Sequence, residues 1–192
     1  MTRNPASAGR DPIFTRNKQT SGFILDIYIQ KTLIPTLLYI MVKKGRAAGG
    51  QGGTPFELRR DKPIEQLDVW YGAGHGSDVD KFTVLKGLQV RWAGGEYSDA
   101  VGTCPPDEEE RILHTSFDFE RGGDDPLEWM DIYASTARVD SLRLVTQDER
   151  DHFEAGGTGG DKQVQPAHGR KLYGFYGRAD ADIDQLGAIF SD

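Results

Sequence analysis

Three aspartates, Asp180, Asp182 and Asp184, alternate with apolar residues late in the chain. They separate an aromatic segment, Leu172–Tyr176, from a second apolar segment that begins at Ile183. Carboxylates at alternate positions of a loop could coordinate a cation, exchange protons in a reaction, or accept hydrogen bonds from the hydroxyl groups of a ligand. The surrounding sequence must decide between these chemistries.

A metal site is the first possibility. The spacing of the aspartates copies the first half of a calcium loop, but the glycine required at its sixth position is Gln185 and the glutamate required at its twelfth is Ser191. The four histidines are scattered without paired ligand spacing, which favours surface or packing roles; they are His75, His114, His152 and His168. We therefore predict no metal and no cofactor.

A catalytic role or a purely solubilising role would use the same carboxylates differently. Paired carboxylates can hydrolyse glycosides, but that reaction needs a cleft that separates an acid from a base, and nothing in this loop indicates a raised pKa. The sequence therefore predicts that the protein is not an enzyme. The aspartates could also be solubilising turn residues on a fold that binds nothing at this loop.

Composition limits the partners and the compartment. The chain has 192 residues, 37% of them hydrophobic, which suits one ordinary domain with a sizeable core. A formal net charge of -7 and a pI near 5.1 argue against nucleic acid, because phosphate neutralisation needs clustered Lys and Arg. The only cysteine, Cys104, excludes an intrachain disulfide and fits a reducing compartment.

The N-terminal 48 residues differ in sequence character from the rest of the chain. They show no secretory signal, which favours a cytoplasmic or non-classically secreted protein. An apolar stretch, residues 23–42, has the length of a membrane helix, but Asp26, Lys31 and Pro35 interrupt it, so a strand pair or a docked appendage is favoured over a membrane span. We predict a partly disordered extension at residues 1–48 and a main domain at residues 49–192.

The main domain has a period of two. Apolar and polar side chains alternate in segments such as Leu88–Trp92 and Leu142–Leu144, and turns rich in glycine or acidic residues separate such segments. No long amphipathic helix is visible. The sequence therefore predicts an all-β fold.

An internal repeat gives the arrangement of these strands. The segments 64–70, 127–133 and 172–176 match in character, and each is followed by a second matching segment, at 85–90, 139–144 and 183–188. A Gly-rich turn precedes each unit; these turns are Gly49–Gly53, Gly122–Gly123 and Gly156–Gly160. A strand–loop–strand unit that cannot bury its apolar face alone must pack on its copies, so three units predict a three-sided prism of antiparallel sheets.

These motifs resemble the jacalin-related lectins. The resemblance rests on Gly49–Gly53 with the following Thr-Pro-Phe56, and on Leu172–Arg178 with Ile183–Gly187, and it covers residues 49–190. It implies a β-prism I fold, with three four-stranded antiparallel Greek-key sheets related by pseudo-three-fold symmetry. It also implies metal-independent binding of glycans or glycoconjugates, and it leaves open a homo-oligomer.

The resemblance also implies a binding site. The family binds sugar between the N-terminal Gly-rich loop and a GxxxD loop near the C-terminus, whose aspartate accepts hydrogen bonds from sugar hydroxyls while loop amides donate them. Carried over, Asp184 is the acceptor, the amides of Ala181 and Asp182 are the donors, and the loop with Gly49, Gly50 and Gly52 faces them. Bare glycine backbone suits a close approach to a ligand.

The chain departs from the family at one position of this motif. The expected glycine four residues before Asp184 is Asp180, which tolerates unusual backbone geometry but adds a charge beside the ligand. We expect Asp180→Gly to leave glycan binding intact or to strengthen it. In galactose-preferring members of the family the two following loop positions can carry aromatic side chains, and here they are Ala181 and Asp182. The resemblance therefore implies a mannose or glucose type in preference to a galactose type.

Two further hypotheses follow from the repeat and from the departure at Asp180. Asp140 occupies in the second unit the place of Asp184 in the third, but Thr136 stands where a glycine is expected, so we predict a weak second sugar site or none. The alternative function is a protein-interaction or targeting module on a degenerate lectin fold, in which residues 1–48 contact a partner chain and the sugar site is inactive.

Overall fold

A computed structural model describes residues 41–106, 111–147 and 152–192. Residues 1–40, which include most of the predicted extension and most of the apolar stretch, lie outside the described residues. Within the described part, no helix is long and apolar enough to cross a membrane.

The described residues form strands and one short helix. In chain order, the elements are β1 (Val42–Lys44), β2 (Ala48–Gly49), β3 (Thr54–Arg59), β4 (Ile64–Ala73), β5 (Thr83–Trp92), β6 (Glu96–Tyr97), β7 (Val101–Gly102), β8 (Ile112–Asp118), α1 (Glu120–Gly123), β9 (Leu127–Ala134), β10 (Val139–Thr146), β11 (His152–Gly156), β12 (Asp161–Val164), β13 (Leu172–Ala179) and β14 (Ile183–Ser191).

These strands make three antiparallel sheets with one common topology. The orders are β11-β10-β9-β12, β6-β5-β4-β8 with β7 also on β5, and β1-β14-β13-β3 with β2 also on β14. Because the short pairs β6/β7 and β1/β2 each occupy one edge, every sheet has four strand positions. In each sheet the fourth strand lies beside the first, which is the Greek-key order. The predicted all-β prism of three four-stranded sheets is confirmed.

The sheet of β13 and β14 combines the two ends of the domain. The hairpin β13–β14 comes last in the chain, whereas β1, β2 and β3 come first, and both β1 and β3 are antiparallel neighbours of this hairpin. The repeat found in the sequence corresponds to the three central hairpins β4–β5, β9–β10 and β13–β14. This chain order places residues 49–53 beside residues 180–184.

The core lies between the inner faces of the three sheets. The fully buried large side chains come from all of them; they include Leu67, Leu88, Trp92, Met130, Ile132, Leu142, Leu144, Phe175, Leu186 and Phe190. Trp92 on β5 also donates from Nε1 to the carbonyl oxygen of Tyr173 on β13, at 3.1 Å, and so links two sheets. Burial of these apolar side chains is the main term that stabilises such a fold without disulfides.

One local feature departs from the predicted alternation. At the start of β10, the residues Val139–Leu142 are all buried, although only Val139 and Leu142 belong to the core. The strand register is irregular between Val139 and Ser141, which interrupts the alternation. The loop that contains Gly159 and Gly160 covers the outer face there. The start of β14 has the same kind of cover, from the loop that contains Gly52 and Gly53.

Candidate functional site

The site lies at the turn between β13 and β14. The amide of Asp180 donates to the carbonyl oxygen of Asp182 at 3.1 Å, which closes the turn. Asp184 follows as the second residue of β14 and is half-buried. Its side chain is therefore held by a regular strand, while the residues before it belong to a tight connection.

The Gly-rich loop lies directly against Asp184. The amide of Gly50 donates to the carbonyl oxygen of Asp184 at 2.7 Å. A Cβ atom added at Gly52 would lie 3.1 Å from Asp184 Oδ1, and one added at Gly53, which has a φ of +63°, would lie 2.5 Å from Oδ2. A side chain at either position would crowd the carboxylate. We call this arrangement, residues 49–53 around Asp184, the first cradle.

Arg178 holds the loop in place, a role that sequence reasoning missed. From β13, its Nε donates to the carbonyl oxygen of Gly52 and a terminal guanidinium nitrogen donates to that of Gly53, both at 2.7 Å. The guanidinium thus satisfies two carbonyl groups of a loop whose glycines have no side chains to brace it. The only sequence signal was the position of Arg178 at the end of the aromatic motif.

Asp180 also contacts the start of β3. Its Oδ1 accepts from the backbone amide of Thr54 at 3.2 Å and from Thr54 Oγ1 at 3.1 Å. The residue that replaces the expected glycine therefore links the turn to the end of the Gly-rich loop. Its carboxylate is engaged in the fold and is not only a charge beside the site.

Asp182 is turned away from the first cradle. Its side chain is buried, forms an ion pair with Lys86 of β5, and accepts from the amide of His75 at 2.7 Å. Thr103 Oγ1 donates to the carbonyl oxygen of Ala181 at 2.8 Å. The sheet of β4 and β5 thus fixes the turn from behind, and Asp182 can offer a ligand its backbone only.

The donors predicted in this turn have no partners within the described residues. Neither the amide of Ala181 nor that of Asp182 donates a hydrogen bond to the described part of the chain. The carboxylate of Asp184 likewise accepts none from these residues. The structure therefore brings together Gly49, Gly50, Gly52, Ala181 and Asp184 and leaves both donors and an acceptor at this place.

The electrostatics of the first cradle favour proton uptake by Asp184. Contrary to the expectation from the sequence, burial raises the pKa of Asp184, and the neighbouring charges of Asp182 and Asp180 raise it further, while Arg178 acts in the opposite direction. An ionised carboxylate is an acceptor only, whereas a protonated one also donates. A ligand that donates hydrogen bonds would therefore stabilise the ionised form of Asp184.

Asp140 lies in a second arrangement of the same kind. It is the second residue of β10 and is completely buried, and Arg138 Nε donates to its Oδ1 at 3.0 Å. A Cβ atom added at Gly159 or Gly160 would lie 2.7 Å from one of its carboxylate oxygens. We call residues 156–160 around Asp140 the second cradle.

The Gly-rich turns do not correspond to the repeat units as the sequence suggested. Gly49–Gly53 and Gly156–Gly160 each lie on the hairpin of their own sheet, β13–β14 and β9–β10. Gly122–Gly123 instead ends α1, and a Cβ atom at Gly123 would lie 2.8 Å from the carbonyl carbon of Ile64. Each of the three turns precedes a repeat unit in the chain, but sequence order does not show which sheet a turn joins.

The described residues contain no candidate metal site. Among the described residues, no cluster of three or more His, Cys, Asp or Glu side chains could hold an ion. His114 has a packing role, stacked on Trp70 with ring centroids 4.5 Å apart. Burial and the charge of Asp68 raise the pKa of the Cys104 thiol to about 12, so this cysteine is not a reactive thiolate at neutral pH.

Comparison with known proteins identifies the fold and the family. A model of the jacalin-like lectin domain matches residues 46–189, which are most of the chain. A sequence comparison with curated proteins finds no significant match. The family match confirms the predicted resemblance and the prediction of a non-enzymatic carbohydrate-binding class.

Solved structures share the β-prism at low identity. The lamprey immune protein has a TM-score of 0.60 and 21% identity, over 79% of this chain and 44% of that one. Malaysian banana lectin has a TM-score of 0.58 and 20% identity, over 78% and 98%. Artocarpin complexed with Me-α-mannose has a TM-score of 0.60 and 18% identity, over 79% and 98%. The chain thus spans less than half of the lamprey protein and almost all of the other two.

Proposed function

Because the chain belongs to the jacalin-like lectin domain family, we propose that it is a lectin that binds glycan hydroxyl groups at the first cradle. Asp184 accepts hydrogen bonds from the sugar, and the amides of Ala181 and Asp182 donate to sugar oxygens. The loop with Gly49, Gly50 and Gly52 forms the facing wall. Asp180 shapes the turn through Thr54.

One observation carries this proposal. The carboxylate of Asp184 is packed against bare backbone, and neither it nor the two turn amides has a hydrogen-bond partner within the described residues. Asp184 is only half-buried, so its carboxylate is accessible from outside, and unpaired donors and an acceptor at one place suit a ligand that carries both kinds of group. Adjacent sugar hydroxyls, each both donor and acceptor, match this combination.

The sugar preference rests on what the turn lacks. Ala181 has a small side chain and that of Asp182 is buried, so no aromatic ring of this turn can stack on a sugar face. We infer a mannose or glucose type in preference to a galactose type. The complex of artocarpin with Me-α-mannose supports this choice by likeness of fold. The proposed binding uses no metal and no cofactor, because hydrogen bonds from the carboxylate and the amides hold the sugar directly and, among the described residues, no group of three His, Cys, Asp or Glu side chains could hold an ion.

A glycan array tests the proposal. The protein, labelled with a fluorophore, should bind glycans that end in mannose or glucose, and Asp184→Ala should bind none of them. Asp61→Ala is the matched control, because the side chain of Asp61 is 69% exposed and pairs with Arg59, away from the first cradle. Equal binding by Asp184→Ala would contradict this site. An array on which the unaltered protein binds no glycan would instead favour the protein-interaction module.

A further inference from the structure

Three equivalent strand positions meet at one end of the prism, and they carry Asp184, Asp140 and Lys86. Each residue accepts a backbone hydrogen bond at its carbonyl oxygen from a neighbouring loop: from Gly50 at 2.7 Å, from Gly157 at 2.9 Å and from Thr103 at 2.8 Å. The residue after each pairs with a glycine, in the registers Gln185↔Gly49, Ser141↔Gly156 and Gly87↔Gly102. The three positions therefore share one backbone geometry.

The second cradle repeats the first one in detail. Gly159 and Gly160 stand to the carboxylate of Asp140 as Gly52 and Gly53 stand to that of Asp184. Gly160 has a φ of +78° and Gly53 has one of +63°. The third position has lost this character, because Lys86 replaces the carboxylate and pairs with Asp182.

What distinguishes the two cradles is the residue two places before the aspartate. In the first cradle this residue is Asp182, and its side chain is drawn away to Lys86. In the second cradle it is Arg138, and its guanidinium folds back over the aspartate. Its Nε lies 3.0 Å from Asp140 Oδ1, and its central carbon lies 3.9 Å from the ring centroid of Phe82.

The carboxylate of Asp140 is fully covered, but only one of its two oxygens is hydrogen-bonded within the described residues. The side chain of Asp140 is 0% exposed and that of Arg138 is 12% exposed. Asp140 Oδ2 is buried without a hydrogen-bond partner among the described residues. Burial raises the pKa of Asp140, and the charge and hydrogen bond of Arg138 oppose this rise. A buried carboxylate oxygen that faces a glycine loop and has no donor retains the acceptor of a binding site.

We propose that Arg138 is a built-in cap that closes the second cradle, so that the unaltered chain presents one open glycan site. The proposal rests on the proposed function, because it assigns to the second cradle the same ligand class, neutral sugar hydroxyls. The guanidinium takes the place of the donating hydroxyls at Asp140 Oδ1, and its stacking on Phe82 holds it there. Arg138 thereby sets the number of sites per chain, on which avidity depends.

The cap is tested first without any sugar. Carbodiimide with an amine nucleophile labels accessible carboxylates, and peptide mass spectrometry measures the labelling at each aspartate. Asp140 should be protected in the unaltered protein and labelled at least several-fold more in Arg138→Ala, with exposed Asp61 as the internal reference. Arg143→Ala is the matched control, because Arg143 is also on β10, lies over Tyr133 at 4.5 Å and pairs with Glu154. Equal labelling of Asp140 in the unaltered protein and Arg138→Ala would overturn the cap.

A second variant keeps this test decisive if Arg138→Ala fails to fold. Phe82→Ala removes the stacking surface and leaves the charge of Arg138 in place, so it should also increase the labelling of Asp140. Folding of each variant is checked by its circular dichroism and melting curve. Protection of Asp140 that survives in a folded Phe82→Ala protein, with no folded Arg138 variant showing more labelling, would overturn the proposal.

Titration calorimetry with methyl α-mannoside then counts the sites. We expect one site in the unaltered protein and two in Arg138→Ala. The additional site is the second cradle, so it should remain in Arg138→Ala/Asp184→Ala and disappear in Arg138→Ala/Asp140→Asn. Two sites in the unaltered protein, or one site in Arg138→Ala, would overturn the proposal. Absence of binding in every protein would contradict the proposed function, and the labelling contrast would then decide the cap on its own.

Discussion

The ionised carboxylate of Asp184 destabilises the folded protein in the absence of a ligand. Its folded-state pKa is raised above the usual 3.8, mainly by burial and then by Asp182 and Asp180. A group whose pKa is higher in the folded state binds its proton more tightly there, so its ionisation destabilises the fold as the pH rises through that pKa. A ligand that donates hydrogen bonds to the ionised carboxylate of Asp184 would offset this loss of stability.

Asp184→Asn should therefore separate stability from binding. At pH 7 the amide removes the buried charge, so the variant should unfold at a higher denaturant concentration than the unaltered protein. This difference should disappear as the pH falls below about 3.8, where the aspartate is protonated in both states. Sugar affinity should fall at least about tenfold, since a charge-assisted hydrogen bond contributes about 1.5 to 3 kcal/mol. Denaturant titrations at pH 7 and pH 3, with calorimetry at pH 7, measure both effects; a less stable variant at pH 7 would contradict this description of Asp184.

Asp180 gives a second prediction, on the pH dependence of binding. Glycan binding should weaken as the pH falls through the raised pKa of Asp184, because the protonated form loses acceptor capacity. Asp180→Asn keeps an oxygen for the two hydrogen bonds from Thr54 but removes a charge that raises this pKa. The acid midpoint of binding should therefore shift to lower pH in Asp180→Asn.

Asp180→Gly should shift that midpoint in the same direction and also lose the hydrogen bonds from Thr54. Comparison of the two variants by calorimetry between pH 3 and pH 7 separates the effect of the charge from that of the link to β3. A midpoint that stays constant or rises in both variants would show that the charge of Asp180 does not act on Asp184.

Among the elements, the turn between β13 and β14 depends on the neighbouring sheet. Lys86 and Asp182 are 6% and 7% exposed and form a buried ion pair. Removal of one partner of such a pair leaves an uncompensated charge, which typically costs about 3 to 5 kcal/mol. The pair therefore fixes the turn that offers its amides to the ligand.

Lys86→Met should lower the free energy of unfolding by about 3 to 5 kcal/mol in denaturant titrations. The double variant Lys86→Met/Asp182→Asn should recover most of this loss, because neither charge remains buried. Lys44→Met is the control: Lys44 pairs with Glu57, both side chains are more than 40% exposed, and its loss should cost about 1 kcal/mol or less. A Lys86→Met protein as stable as the control would show that the pair does not brace the turn.

The elements were the part of the structure that could be predicted from the sequence. Alternation at Leu142–Leu144 and the matching segments identified the paired strands, because burial on one face of a sheet leaves a period of two. The partners of Asp182 were not predictable, since Lys86 lies 96 positions away and only the closed prism brings them together. The cover of Arg138 over Asp140 was also missed, although its position two residues before the aspartate was visible, because a side-chain direction does not follow from spacing.

At the scale of the whole molecule, the three equivalent strand positions share one backbone geometry but carry side chains with different roles. The first cradle has an aspartate beside two turn amides that find no partner in the described part of the chain, the second has an aspartate under Arg138, and the third position has Lys86. The family resemblance correctly indicated the fold and the neighbourhood of the Gly-rich loop and Asp184. It could not show how the other two positions differ, because this depends on single side chains outside the motif.

We expect the fold and its sugar binding to be independent of metal. Among the described residues no cluster of ligating side chains could hold a cation, so EDTA should leave the sugar affinity and the melting temperature unchanged. Calorimetry and a thermal scan, each with and without chelator, check this. If EDTA lowers the sugar affinity or the melting temperature and added calcium restores it, then Asp180, Asp182 and Asp184 form a cation site.

Sugar binding at the first cradle can be observed residue by residue in an NMR titration of the ¹⁵N-labelled protein with methyl α-mannoside. We predict saturable shifts concentrated at the amides of Gly49–Gly53 and of residues 180–184, with the amides of Ala181 and Asp182 among the largest. These shifts should vanish in Asp184→Ala and persist in Asp61→Ala. Saturable shifts that lie elsewhere on the prism, or that survive unchanged in Asp184→Ala, would show that the first cradle is not the sugar site.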